Sequence, residues 1–452
     1  MKVFLRILLG ILVFLLLIGL FTIKSIDRSY YKNQLFYSTT MARMDSLESA
    51  LPATEPGDTL LIGWSKISIT PEEELPLAGY GARDPMAYSD VHDSIFVRSY
   101  VFNNRSYQKA LISADLLIIH PEVRNRFFAL AAENGWDPQD IFLSATHTHN
   151  SRGGWAPGLV GELFAGDFDP SQIDFLAEKL VTSLVTAQNQ LKRGRLGFAE
   201  LSVPTFVKNR LIKTEKGKTD PFLKLLYFES DSLSALHSIY SAHATCLSMD
   251  YREVSGDYPA AMIDYLEAND IVDFAGYSAG AVGSMGPADT DSKEWQKARD
   301  IGWGLAEQVR ILQQVGFPSV DSIGLRSFRI PVDLRQPHFK ISENLSLRPW
   351  LFNWAFGDYA AEIAAMQFGN LLIIGLPADF SGELALPLYE YASQRGMRLI
   401  ITSFNGGYTG YIPKDDWYDL NKYETRTMSW YGPDNGAYFS ELIRRVIDIC
   451  AL

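Results

Sequence analysis

Apolar and polar positions alternate in blocks along most of this chain. Short apolar runs bounded by turn residues predict strands over 59–71 (TLLIGWSKISITP), 94–103, 108–119 and 141–145. LKLLYFES, LHSIYSAHA, LLIIGLPA and RLIITSFNG predict more of them further along. Between the strands lie stretches with an apolar residue every three or four positions. Residues 120–136, with Pro near the start and Gly near the end, predict a helix, as do 171–194 and 293–316. Such alternation predicts an α/β fold, with mixed β-sheets flanked by helices and apolar strands buried between them. No repeat, low-complexity block or second-domain linker interrupts it, so residues 59–452 are expected to form one catalytic domain.

The pattern breaks at the amino terminus. Residues 7–23 (ILLGILVFLLLIGLFTI) are apolar bar one Thr, behind Lys2 and Arg6. As a helix this run spans roughly 25 Å, enough for a bilayer. No Ala-x-Ala-like cleavage site precedes KSIDRSYY and no Cys follows the run, so residues 1–24 are expected to be an uncleaved transmembrane signal anchor. Lys2 and Arg6 place the terminus in the cytoplasm and the body outside it, although Lys24, Arg28 and Lys32 weaken that asymmetry. Residues 25–58, polar and ending in Pro and Gly, read as a short helix and a stalk.

The net charge of -12 and the lack of a long basic run exclude a nucleic-acid role. Two cysteines, Cys246 and Cys450, make no disulfide framework and no thiolate zinc knuckle. Any metal must therefore be held by His and carboxylates. Four strand ends carry such chemistry, in the position where α/β folds gather ligands. His147 and His149 follow IFLSA in SATHTHN; His243 follows LHSIY; Asp379 and Glu383 follow LLIIGLPA; Tyr408 and Tyr411 sit in the Gly-rich loop after RLIITS. Two His, a carboxylate and an open position form a catalytic zinc set. The spacing alone is also compatible with a polar strand end, a hydrogen-bonded core histidine at His243, and a helix-start carboxylate at Glu383. His92, His120, His237 and His338 lack such company.

Several ordered motifs resemble the neutral/alkaline, non-lysosomal ceramidase family over residues about 60 to 440. SATHTHNSRGG is similar to its S-A-T-H-T-H-S-G-P-G-G, and GWSKISITP with LAGYGAR resembles its opening. HATCLSMDYREVSGDYP, PADFSGE and GYTGYIPKDDWYDLNKYETRTMSWYGP resemble its H-x-T-S-M…S-G-D, P-G-E-F and Y-x-x-Y…G-P segments. The resemblance implies a Zn2+ site formed by His147, His243, Glu383 and Tyr411. It implies His149 and Tyr423 as catalytic residues facing the substrate carbonyl and oxyanion, and Arg210 and Ser284 as substrate contacts. It implies hydrolysis of the N-acyl bond of ceramide or a related lipid by a metal-bound water, next to the membrane that the amino-terminal helix enters. SAGAVGSMGP (278–287) departs from the family's G-D-V-S-P-N: Ala281 and Gly283 take the aspartate and serine positions. Arg152 is an addition that suggests an anionic substrate, and the family's carboxy-terminal β-sandwich is not expected here. A related hydrolase on a non-sphingolipid amide or ester, or a non-catalytic exported binding protein of the same fold, are the alternative expectations.

Overall fold

Ten α-helices lie among the described residues. They are α1 (Lys2–Thr22), α2 (Leu35–Ala50), α3 (Pro121–Glu133), α4 (Leu159–Ala165), α5 (Ser171–Asn189), α6 (Asp257–Ala268), α7 (Glu294–Val315), α8 (Pro349–Phe356), α9 (Gly382–Ser393) and α10 (Asn435–Ala451). The structure is a computed structural model and describes every residue except 1, 52, 53, 55, 84–87, 232 and 452. The expected strands and helices form where the patterning places them. Boundaries shift in places: the strand read over 108–119 ends at Ala114, and the helix read over 171–194 ends at Asn189, with Lys192 opening a strand, Lys192–Ser202. That strand's start pairs with Leu61 and Ile62, and its remainder from Gly194 pairs with Phe222–Ser230.

Two sheets stack face to face between layers of helix. The larger has nine strands among the described residues and is mostly antiparallel; the smaller runs Leu325–Val332, Ala361–Phe368, Leu371–Leu376, Arg398–Ser403. Tyr100, Phe102, Phe142 and Phe228 of the first sheet meet Met366, Phe368 and Ile373 of the second in a shared core. Truncating one such ring, Phe102→Ala, is expected to cost about 3–5 kcal/mol through lost burial and the cavity left. Helices α3 and α5 cover one half of the large sheet's outer face, and α6 and α7 the other. Helices α2, α9 and α10 cover the outer face of the small sheet. The arrangement is therefore helix, sheet, sheet, helix.

Three strand pairs are parallel: 108–114 with 141–145, 233–240 with 274–279, and 371–376 with 398–403. Parallel neighbours share a direction, so the loops leaving them emerge at one edge of the stacked sheets. Ser403 Oγ donates to the Gly280 carbonyl at 2.8 Å, tying a loop of one sheet to a strand of the other there.

Residues 25–50 do not stand clear of the body as a stalk. Ile23–Ser25 pairs antiparallel with Leu345–Leu347. Tyr31, Thr40 and Met44 are buried, and the Tyr31 hydroxyl donates to Glu441 on α10 at 2.7 Å. Apolar positions on one face of α2 dock it to the small sheet; the polar look of STTMARMDSLESA reflects its other face. Residues 52, 53 and 55 of the expected linker lie outside the described residues. Helix α1 is long and apolar enough to cross a membrane, and no residue of its apolar span is buried inside the body. Both cysteines are free and buried.

Candidate metal centre and cleft

The edge where the parallel strands end holds the candidate chemistry. His147 lies two residues beyond Ile141–Ala145 with φ 62, a left-handed conformation that costs a non-glycine residue energy. Its backbone N–H donates to Leu116 and its Nδ1 donates to the Leu117 carbonyl at 2.6 Å. The ring lies flat on Phe404, 3.9 Å between centroids, and Phe404 is itself left-handed (φ 64) at the end of Arg398–Ser403. His243 follows Leu233–Tyr240, and its Nδ1 lies 3.3 Å from the Val282 carbonyl.

Each Nδ1 is thus turned to a backbone carbonyl, which leaves the Nε2 lone pair free to bind a cation. The two Nε2 atoms face each other at 2.8 Å, and His149 Nε2 lies 3.3 Å from that of His147. The ligand atoms of all three rings fall within 4.8 Å of one another. Burial pushes His147 down to about 3 and holds His149 and His243 well below the usual imidazole range, so the rings are neutral. Neutral imidazoles with converging lone pairs repel one another unless a proton or a cation lies between them.

The carboxylate that joins them is Asp379. Its Oδ1 sits 3.7 Å from His147 Nε2 and 3.8 Å from His243 Nδ1, buried and without a hydrogen-bond partner. Oδ2 accepts from the Tyr408 hydroxyl at 2.7 Å. Burial pushes this carboxyl up to about 7. An orphaned buried oxygen beside the free His147 Nε2, which itself faces the free His243 Nε2, fits a divalent cation that would satisfy all three. Tyr411 faces Asp379 across a two-residue parallel ladder, Asp379–Phe380 with Tyr411–Ile412. Arg210 donates to the Tyr411 hydroxyl at 2.8 Å and pairs with Glu424 at 3.2 Å.

Other expected residues fall elsewhere. Glu383 opens α9, where Asn209 donates to Oε1 at 2.5 Å and Ser284 Oγ donates to Oε2. Its carboxylate is satisfied there and does not join the histidines. Ser284 is fully buried against Glu383 and the Gly382 N–H, away from the cleft. Arg152 is a framework residue: its Nε donates to Gln172 at 2.7 Å and its guanidinium covers the Phe175 ring, outside the cleft lining. Tyr423 does reach the cleft, edge-on to Tyr411 at 5.9 Å and 46% exposed. His120, which lacks company in the sequence, lines the cleft wall while capping α3. Asp379 was legible as a strand-end carboxylate, and laying P-A-D-F directly on P-G-E-F would have singled it out.

His147, His149 and Tyr411 form the floor of a cleft open to solvent. Its walls are aromatic and aliphatic, among them Trp155, Phe164, Phe356 and Trp430. Carbonyl- and metal-directed groups at the floor and apolar walls above suit a substrate with a polar head and a long chain.

Residues 60–284 match the sequence profile described as neutral/alkaline non-lysosomal ceramidase, N-terminal. The chain belongs to the neutral/alkaline non-lysosomal ceramidase family. It is 25% identical over 400 residues to neutral ceramidase of Pseudomonas aeruginosa, covering 82% of this chain and 56% of that protein. Neutral ceramidase of Drosophila melanogaster is 24% identical over 229 residues, covering 46% of this chain and 32% of the relative. The chain therefore spans between a third and little over half of these relatives. The crystal structure of the Pseudomonas aeruginosa neutral ceramidase superposes with TM-score 0.74 at 18% identity, covering 87% of this chain and 74% of that one. A ceramidase complexed with C2 superposes at 0.76 and 17% identity, covering 87% and 75%. At such identity the superpositions carry the ceramidase fold.

Proposed function

We propose that this ceramidase-family chain is a zinc-dependent amidohydrolase that cleaves the N-acyl bond of ceramide or a related N-acyl lipid. The observation that carries the reading is the facing pair of free Nε2 atoms of His147 and His243, with the unpartnered Asp379 Oδ1 beside His147, at the floor of an apolar cleft. His147, His243, Asp379 and Tyr411 would hold the ion, a nitrogen and oxygen set that suits zinc. A divalent cation held there would lower the pKa of water toward about 7 and polarise a carbonyl.

The chain's own residues do the rest. His149, half-buried beside His147, is placed to accept a proton from water and to face the scissile carbonyl. The Tyr423 hydroxyl at the cleft donates to the developing oxyanion. Arg210 orients Tyr411 from behind, which makes it a positioning residue. The cleft walls take the acyl and amino-alcohol chains and exclude water. Residues 1–24 anchor the body outside the cytoplasm, and residues 59–452 form the catalytic domain with the preceding segment built onto it.

A second reading rests on the loop over 278–287. Ser284 is committed to Glu383, and a Cβ at Gly283 would lie 2.4 Å from the Asp379 carbonyl oxygen. The loop thus offers the cleft no serine, which favours a related amide or ester over ceramide itself. The test is fatty-acid release from N-acylsphingosines of graded chain length, beside N-acyl amino acids and fatty esters. Release from the sphingosine series, abolished by chelation and restored by zinc, supports ceramide. Release from the others alone assigns the second reading.

A further inference from the structure

We propose that the outer faces of α4 and α8 dock in the bilayer interface and set the mouth of the cleft against the membrane. The inference rests on α1 crossing that membrane, and not on which bond is cleaved in the cleft.

Both helices are apolar on two sides. In α8 (PWLFNWAF), Phe352 and Phe356 turn inward, line the cleft and pack on Trp430 at 5.4 and 4.7 Å. Trp350 and Trp354, one turn apart on the opposite side, are 56% and 68% exposed. In α4 (LVGELFA), Val160 and Phe164 line the cleft, while Leu159 and Leu163 are 60% and 52% exposed. The two helices pack against each other and carry one charged side chain between them, Glu162. A helix apolar all round belongs in a protein core or a membrane, and a patch of this size on a water-facing surface calls for a partner.

The structure of the junction indicates which partner. The last carbonyls of a helix lack intrahelical donors, and at the end of α1 residues beside and within α8 supply them. The Arg348 backbone N–H donates to Thr22 at 2.8 Å, and its guanidinium donates to the Leu20 carbonyl at 3.1 and 2.9 Å. Trp350 Nε1 donates to the Phe21 carbonyl at 3.2 Å. Trp350 therefore sits level with the last apolar turn of the anchor. That is the depth where tryptophan concentrates, ring in the acyl boundary and N–H toward polar groups. Lys24, two residues past the anchor and within electrostatic reach of Arg348, follows it, where anionic headgroups favour basic side chains. With α1 upright in a bilayer, the Trp/Leu face continues the anchor's apolar surface. An acyl chain can then enter the mouth of the cleft, which both helices line, without being exposed to water.

The test uses the full chain reconstituted in phosphatidylcholine vesicles containing lipids brominated near the headgroup, read by tryptophan fluorescence, so it needs no substrate. Native protein should be quenched by the bromolipid. The Trp350→Phe/Trp354→Phe double variant should lose the quenched component, and acrylamide in the water phase should leave that component untouched. Equal bromolipid quenching in native protein and double variant would overturn the proposal. So would free acrylamide access to both tryptophans, or protection that depends on protein concentration in detergent, which would assign the face to a second copy. As an independent check, Leu159→Glu/Leu163→Glu should reduce the bromolipid quenching of Trp350 and Trp354 at unchanged metal content. Unchanged quenching in that variant would count against the α4 half of the surface.

Discussion

Asp379 and Tyr411 are register partners in a two-residue parallel ladder, and Arg210 holds the Tyr411 hydroxyl from the far side. That ladder brings the end of Leu371–Leu376 and the loop after Arg398–Ser403 onto the two histidines. It also separates two carboxylates only four positions apart. Asp379→Asn is expected to lower zinc affinity by more than the roughly 10–100-fold typical of an outer partner. Glu383→Gln is expected to keep the metal. Equilibrium zinc titration of both variants checks this, and metal loss confined to Glu383→Gln would contradict the ligand assignment.

His147 and His149 divide the work differently. His147 is fixed by the Leu117 carbonyl and the Phe404 ring, whereas His149 Nδ1 has no partner and its ring leans on Tyr80. His147→Ala should lose metal. His149→Ala should retain it and lower kcat by about 10²–10³-fold, the size of losing one transition-state contact. Equal metal loss in both variants would show that His149 is a ligand as well.

Restoring a serine at position 283 should damage the site. Its Cβ would meet the Asp379 carbonyl oxygen at 2.4 Å, so Gly283→Ser must push that strand off the histidines. The expected result is weaker zinc binding and a lower Tm, measured by titration and thermal melts. A gain in amide hydrolysis would mean that the loop moves more freely than its packing implies.

Acid stability should follow the buried histidines away from the centre. Burial lowers His237, hydrogen-bonded to Ser278 at 2.7 Å, and His338, bonded to Tyr418 at 2.8 Å, to about 3. The unfolded chain takes up these protons near pH 6.5 and the folded one does not. Their contribution is therefore fully present above 6.5 and is lost as pH falls toward 3. Each adds a slope of about 1.4 kcal/mol per pH unit inside that window. His237→Gln should flatten the pH dependence of unfolding free energy there, and an unchanged slope would contradict the assignment.

Much of this was legible in the sequence, for identifiable reasons. The parallel strands are short continuous apolar runs ended by small or polar residues, so the strand ends and His147, His149 and His243 could be placed. The choice between Asp379 and Glu383 could not be read from periodicity, because both follow the same strand. It was decided by a two-residue ladder, too short to leave a pattern. Arg152 looked exceptional as a charge near the histidines, but its direction depends on its pairing with Leu77, a long-range fact. Helix α8 has no polar face to reveal a period, since one side lines the cleft and the other is apolar too. The segment 25–50 read as a stalk because only one face of α2 is buried.

The most direct measurement is the metal content of the detergent-solubilised full chain after zinc supplementation, by elemental analysis, beside His147→Ala. The account predicts about one zinc per native chain and little in the variant. A native chain that carries no metal, or a variant that keeps its full complement, would contradict a metal centre at these strand ends.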